Sequence, residues 1–168
     1  MTRQDFIWKW LAYGIVLALA AVFNYYVLAW LPLGAVPLLI QVTVIAVGVL
    51  EGPRAGAGFG IAAGVALTAL THGTALWVCV LPLVGWICGL LALYVLRRDF
   101  VGYLLACLGS GLLYEGGRVI LALLRGTAGL PALLRVAGPE YLWTTAFAVP
   151  VYGLCHLCCR RYGRIYHE

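Results

Sequence analysis

Charged residues in this sequence fall almost entirely in short turns between long apolar runs. From Arg54 to Arg97, for example, the chain contains no intervening lysine, arginine, aspartate or glutamate. Charged residues make up 10% of the chain, whereas a soluble domain carries about 25%, so there is too little polar surface for a water-soluble fold. Because apolar runs of about 20 residues can cross a bilayer as helices, the sequence predicts an all-α polytopic membrane protein.

Six apolar runs have the length of membrane-spanning helices, and together they occupy most of the 168 residues. The predicted spans are residues 10–31, 36–50, 55–71, 75–96, 100–124 and 140–159. We therefore expect one transmembrane domain, 1–168, and no extramembrane domain. Residues 125–139 contain two breaks of the glycine–proline type around a short apolar core, which predicts an outer loop or a short interfacial helix.

The distribution of basic residues predicts the orientation of these spans. With a cytoplasmic amino terminus, eight lysine and arginine residues lie on the inner side and only Arg125 and Arg135 lie on the outer side. Cytoplasmic loops of membrane proteins carry such an excess of basic residues, so both termini are expected to be cytoplasmic (N-in/C-in). The basic residues are scattered rather than clustered, so the net charge of +5 does not indicate nucleic-acid binding.

A glycine series marks residues 51–73, which include the third predicted span and around which we expect the rest of the chain to be organised. Gly56, Gly60 and Gly64 lie four residues apart and line one helix face as two overlapping GxxxG units. A face without side chains lets another backbone approach closely, which is how helices associate in lipid. The sequence leaves open whether this face packs within the chain or binds a partner helix.

One charged pair lies inside a predicted span. Glu115 and Arg118 are three residues apart, so their side chains share a helix face. An ionisable residue within the membrane is costly and is a candidate functional site. The sequence favours a mutually neutralised pair whose arginine reaches the outer interface. The alternative is a substrate or proton site, or a polar contact with a partner helix.

Histidine and cysteine give weaker signals. His72 lies in a predicted outer turn, a position more typical of a solvated residue than of a ligand. The run Cys155-His156-x-Cys158-Cys159 has the composition of a metal site, but its residues occupy successive helical positions that point in different directions, unlike zinc-binding loops. Lipid attachment to these cysteines, which lie near the cytoplasmic end, is a second weak alternative. We expect no metal, no cofactor and no disulfide.

Catalytic patterns are missing from the sequence. It contains no phosphate-binding loop, no nucleophile–base pair and no carboxylate dyad, and Glu115 is the only acidic residue in the interior of a predicted span. We therefore expect a binding or scaffolding protein rather than an enzyme.

The order and lengths of the spans resemble the MreD family of rod shape-determining membrane proteins. A proline-led second span, here Val36-Pro37-Leu38-Leu39, precedes a small-residue turn, and a proline and a tyrosine lie in the last span before an arginine-rich tail. The family pattern G-x3-G-x3-D-x4-G corresponds to Gly60, Gly64, Thr68 and Gly73. Thr68 stands where the family commonly has aspartate, so only hydroxyl hydrogen bonding is available at this position.

The resemblance implies a non-enzymatic scaffold of the cell-elongation machinery in the bacterial inner (cytoplasmic) membrane. Such a protein would bind an MreC-like bitopic partner, near the glycosyltransferase–transpeptidase pair that builds lateral peptidoglycan, and so support rod shape. The family fold is similar to the six-helix substrate-binding components of energy-coupling vitamin transporters. The alternative is therefore a component that binds a small solute in an outward pocket formed by His72, Glu115, Arg118 and residues 125–139.

Overall fold

The computed structural model of the chain describes residues 3–27, 37–71, 76–96, 98–126 and 129–162. All regular structure in these ranges is helical, which confirms the predicted all-α class. The helices are α1 (Arg3–Val22), α2 (Leu39–Glu51), α3 (Pro53–Thr71), α4 (Leu76–Tyr94), α5 (Phe100–Leu124) and α6 (Leu130–Tyr162), and α1 continues into a π-helical turn, Phe23–Val27.

Four of these helical segments are long and apolar enough to cross a membrane. They are Phe6–Tyr26, Leu76–Tyr94, Phe100–Leu124 and Leu130–Arg161. The protein is therefore a multi-pass membrane protein. The span count of six and the cytoplasmic position of both termini stay predictions.

The central element is α2, which contacts each of the other five α-helices. All 13 of its residues are buried. A helix of this length is about 20 Å long, shorter than the bilayer core of about 30 Å. Ten of its 13 residues are apolar, and the other three, Gln41, Thr43 and Glu51, are buried too, as expected for a helix enclosed by protein. The expectation that residues 51–73 form the hub is therefore wrong: α3 keeps an exposed face, whereas α2 is surrounded.

A glycine–proline turn reverses the chain between α2 and α3. Gly52 has a φ angle of 97°, and its N–H donates to the carbonyl oxygen of Gly48 at 3.0 Å. A left-handed residue just after a helix is typically glycine, because it has no Cβ to clash. Pro53 then begins α3, where its missing N–H costs no helical hydrogen bond. The two helices therefore run antiparallel, side by side.

The last helix differs from its prediction. α6 runs without a break from Leu130 to Tyr162, although Pro139 and Pro150 lie inside it. The prediction of an outer loop or short interfacial helix at residues 125–139, followed by a separate helix from residue 140, is therefore wrong. A proline removes a single hydrogen bond from the helix interior. Here the remaining turns stay paired, and α5 packs along α6.

The alternating direction of the helices gives the bundle two ends. At the proximal end α1 begins, α2 ends and α6 ends; at the distal end α5 ends and α6 begins. Among the described residues, ion pairs join charged side chains at each of these ends.

Candidate functional site

The glycine face of α3 packs against α4 of the same chain. A Cβ atom at Gly60 would lie 2.6 Å from the Cα of Pro82, and one at Gly64 would lie 2.7 Å from the Cα of Val78. Separations below 3.0 Å are essentially never seen for real Cβ atoms. The two backbones are therefore in direct contact, and a partner helix cannot reach this face without displacing α4.

The same close packing extends to α2 at the proximal end. A Cβ atom at Gly56 would lie 2.6 Å from the carbonyl oxygen of Gly85 and 2.7 Å from the Cα of Gly48. Three helices thus meet through glycines from α2, α3 and α4. We call this contact the glycine seam, formed by Gly48, Gly56, Gly60, Gly64, Gly85 and Gly89.

The remaining residues of the MreD-like pattern lie near the distal end of α3. The Thr68 hydroxyl donates to the carbonyl oxygen of Gly64 at 2.8 Å, so this hydrogen bond lies within α3. Gly73, together with His72, lies outside the described residues.

A fully buried ion pair lies at the proximal end. Lys9 Nζ lies 2.5 Å from Glu51 Oε1, and both side chains are 0% exposed. The Tyr13 hydroxyl donates to the same carboxylate oxygen at 2.8 Å. Burying two charges is costly unless the pair is well formed and hydrogen-bonded, as it is here. This cluster therefore fastens α1 to the end of α2.

Sequence reasoning missed this cluster. The predicted spans leave Lys9 in the polar segment before the first span and Glu51 in the charged turn after the second, because each lies at the edge of an apolar run. The spacing of Lys9 and Tyr13 at i, i+4 places them on one face of a helix. No local pattern, however, pairs that face with Glu51, which is 38 residues beyond Tyr13.

The charged pair predicted on α5 gains a third member from α6. Arg118 Nη1 lies 3.2 Å from Glu115 Oε1 and 2.8 Å from Glu140 Oε2. The guanidinium also lies over the Tyr114 ring, 5.6 Å from its centroid, in a cation–π arrangement. Side-chain exposure is 45% for Arg118, 8% for Glu115 and 12% for Glu140. The sequence named the first two residues but gave no reason to place Glu140 beside them.

Loss of the shared guanidinium is expected to leave two partly buried carboxylates without a counter-charge. We predict that Arg118→Met destabilises the protein by about 2 kcal/mol, measured as thermal unfolding in detergent. In the Arg118→Met background, Glu140→Gln should restore part of the loss, because it removes the repulsion from Glu115. If Glu140→Gln lowers stability equally in both backgrounds, Glu140 and Arg118 are not coupled.

A cavity of about 180 Å³ adjoins the Arg118 cluster. Glu115 and Arg118 contribute its polar lining, and apolar side chains of α5 and α6 complete it. The charged groups bordering this cavity are thus already paired with each other or with Glu140.

A larger groove of about 530 Å³ separates α4 from α5. α4 packs mainly on α2 and α3, whereas α5 packs mainly on α6, so the two helices flank an open space over α2. The groove is lined almost entirely by apolar side chains, among them Val80, Val84, Ile87, Leu91, Leu105 and Leu113. Gln41 of α2 reaches the groove from the bundle interior.

The cysteine–histidine run on α6 is not assembled into a ligand set. Cys155 and Cys159 are buried, Cys158 is half-buried, and each carries a reduced thiol. His156 stacks on the Tyr152 ring at a centroid distance of 5.5 Å. Among the described residues, no three histidine, cysteine or acidic side chains are placed so as to hold a metal ion.

Comparison of the sequence with protein families, with curated proteins and with solved structures gives no match. The resemblance to the MreD family therefore rests on the sequence features described above.

Proposed function

We propose that this protein is a non-enzymatic scaffold of the bacterial cell-elongation machinery. In this proposal it lies in the inner membrane with both termini in the cytoplasm, and it binds the single transmembrane helix of an MreC-like partner. The partner would in turn connect it to the glycosyltransferase–transpeptidase pair of lateral peptidoglycan synthesis. The class of partner comes from the resemblance, and we place the partner helix in the groove between α4 and α5.

The groove is the observation that carries this proposal. Its residues extend along α4 from Val80 to Val95, one residue past the end of the helix, a distance of about 20 Å at 1.5 Å per residue. Two small residues of α5, Ala106 and Gly109, also line it. In lipid, helices associate where small residues let backbones approach. An apolar groove of this length with small residues on one wall suits a single apolar helix.

The alternative, a small-solute transporter component, has less support. The distal cavity of about 180 Å³ is smaller than the roughly 300–1,000 Å³ of typical ligand pockets. Its charged residues, Glu115 and Arg118, already neutralise each other in part. The scaffold is therefore the better supported function.

Two glycine substitutions give a matched test of the groove. Gly109 lines the groove and Gly58 lies on the exposed face of α3, and in both cases nothing lies within 4 Å of an added Cβ atom. Gly109→Leu should fill the groove without disturbing the bundle. We expect it to reduce recovery of the MreC-like partner at least tenfold when the tagged chain is purified from its native host in mild detergent, and to abolish rod shape in a complementation assay.

Gly58→Leu is the control and should leave partner recovery and cell shape unchanged. Equal recovery with both variants would exclude the groove as the binding position. If an ATPase pair and a vitamin-sized molecule co-purify with the chain instead of an MreC-like protein, the transporter alternative is correct.

A further inference from the structure

A second, much smaller cavity lies inside the distal half of the bundle, where α2, α5 and α6 meet. Its volume is about 10 Å³, which is room for one water-sized sphere. Five oxygen-bearing side chains line it: Gln41, Ser110, Glu115, Tyr141 and Thr144. No lysine, arginine or histidine in the described part of the chain borders it.

The three hydroxyl groups around this cavity have already donated their protons. Ser110 donates to a backbone carbonyl oxygen at 3.2 Å, Tyr141 at 3.2 Å and Thr144 at 2.7 Å. Because a hydroxyl has one proton and two acceptor lone pairs, these groups can offer the cavity only lone pairs. Thr144 Oγ1 has one lone pair left, since it also accepts from the Leu38 N–H at 3.0 Å. The cavity therefore favours a ligand that accepts electron density, such as a cation.

Gln41 adds an acceptor that has no partner. Its side chain is 6% exposed, and its Oε1 atom has no hydrogen-bond partner among the described residues. Buried polar atoms are nearly always satisfied, by protein groups, ordered water or an ion. This orphan oxygen borders the same cavity as the Glu115 carboxylate.

The charge balance points the same way. Glu115 and Glu140 share the single guanidinium of Arg118, so with all three ionised the cluster carries one excess negative charge. An uncompensated charge within a membrane protein is costly. One monovalent cation would balance it, whereas a divalent ion would leave the opposite excess.

We propose that this cavity binds one sodium ion. Its ligands are the Glu115 carboxylate, Gln41 Oε1 and hydroxyl oxygens of the lining side chains, since hard cations prefer oxygen donors. The small volume favours a dehydrated sodium ion over larger monovalent cations. Gln41 also lines the α4–α5 groove, so a bound ion would hold one side chain of the groove in place. This site does not depend on the proposed function.

The test is thermal unfolding of the purified full chain in NaCl, KCl or choline chloride at equal ionic strength. We expect sodium to raise the melting temperature saturably, by about 5 °C at a concentration about 100 times the dissociation constant, while choline has no effect. Gln41→Leu and Glu115→Gln should each abolish the response. Thr68→Val, which removes a membrane hydroxyl outside the cavity, should keep it.

Three results would overturn the proposal. They are an equal rise in choline, a larger rise in potassium, or a full sodium response in Gln41→Leu. If the variants do not fold, calorimetric titration of NaCl into the sodium-free wild-type chain still decides: a saturable heat with a stoichiometry near one supports the site, and no saturable heat excludes it.

Discussion

Replacing Lys9 by methionine is expected to destabilise the protein by about 3–5 kcal/mol. The substitution removes the Lys9 ammonium from the fully buried Glu51 carboxylate, which keeps the hydrogen bond from the Tyr13 hydroxyl. This pair attaches α1 to the end of α2. In the Lys9→Met variant, α1 should therefore detach from α2 before the whole protein unfolds. The measurement is chemical unfolding in detergent, followed by near-ultraviolet circular dichroism of the aromatic cluster around Trp10 and Phe59.

The double variant Lys9→Met/Glu51→Leu separates the ion pair from the packing around it. Replacing both members of a buried pair with apolar residues of similar volume is often neutral or stabilising. We therefore expect the double variant to recover most of the stability lost by Lys9→Met. If the loss of stability in the double variant equals the sum of the losses in the two single variants, Lys9 and Glu51 do not act as a pair.

Replacing Gly60 by leucine is expected to cost about 3 kcal/mol or more. A Cβ atom at this position would lie 2.6 Å from the Cα of Pro82 and 2.7 Å from the carbonyl oxygen of Leu81. Both neighbours are backbone atoms of α4, so they cannot rotate away as a side chain could. The two helices must separate, and the loss should appear as a lower melting temperature and a smaller monodisperse fraction after purification.

Gly58→Leu is the matched control on the same helix. Nothing lies within 4 Å of an added Cβ atom at Gly58, and leucine is favoured over glycine in a helix by up to about 1 kcal/mol. This variant should therefore be as stable as the wild type or slightly more so. A similar loss in both variants would mean that the glycine seam is not the close contact between α3 and α4.

Several features were predictable because they depend on local sequence. The apolar runs predicted membrane helices because backbone groups in lipid must be paired within the segment. The interval of four residues between glycines predicted a close helix contact, and the interval of three residues placed Glu115 and Arg118 on one face. Each inference needed only the geometry of a single helix.

The partners of these local features could not be predicted. A glycine face fits a helix of the same chain as well as a foreign one, and only the position of α4 distinguishes the two possibilities. Glu140 binds Arg118, which is 22 residues away in sequence, and Lys9 of α1 forms an ion pair with Glu51 of α2. Such contacts depend on how the helices pack, which composition and periodicity do not specify.

The apolar runs, the glycine-lined face of α3 and the Glu115–Arg118 pair could all be identified from the sequence, because helix formation in lipid and the spacing of residues around a helix are local properties. The central position of the short helix α2 and the closure of the glycine seam by α4 follow from the packing of the helices. The same is true of the groove between α4 and α5, because burial depends on which helices become neighbours.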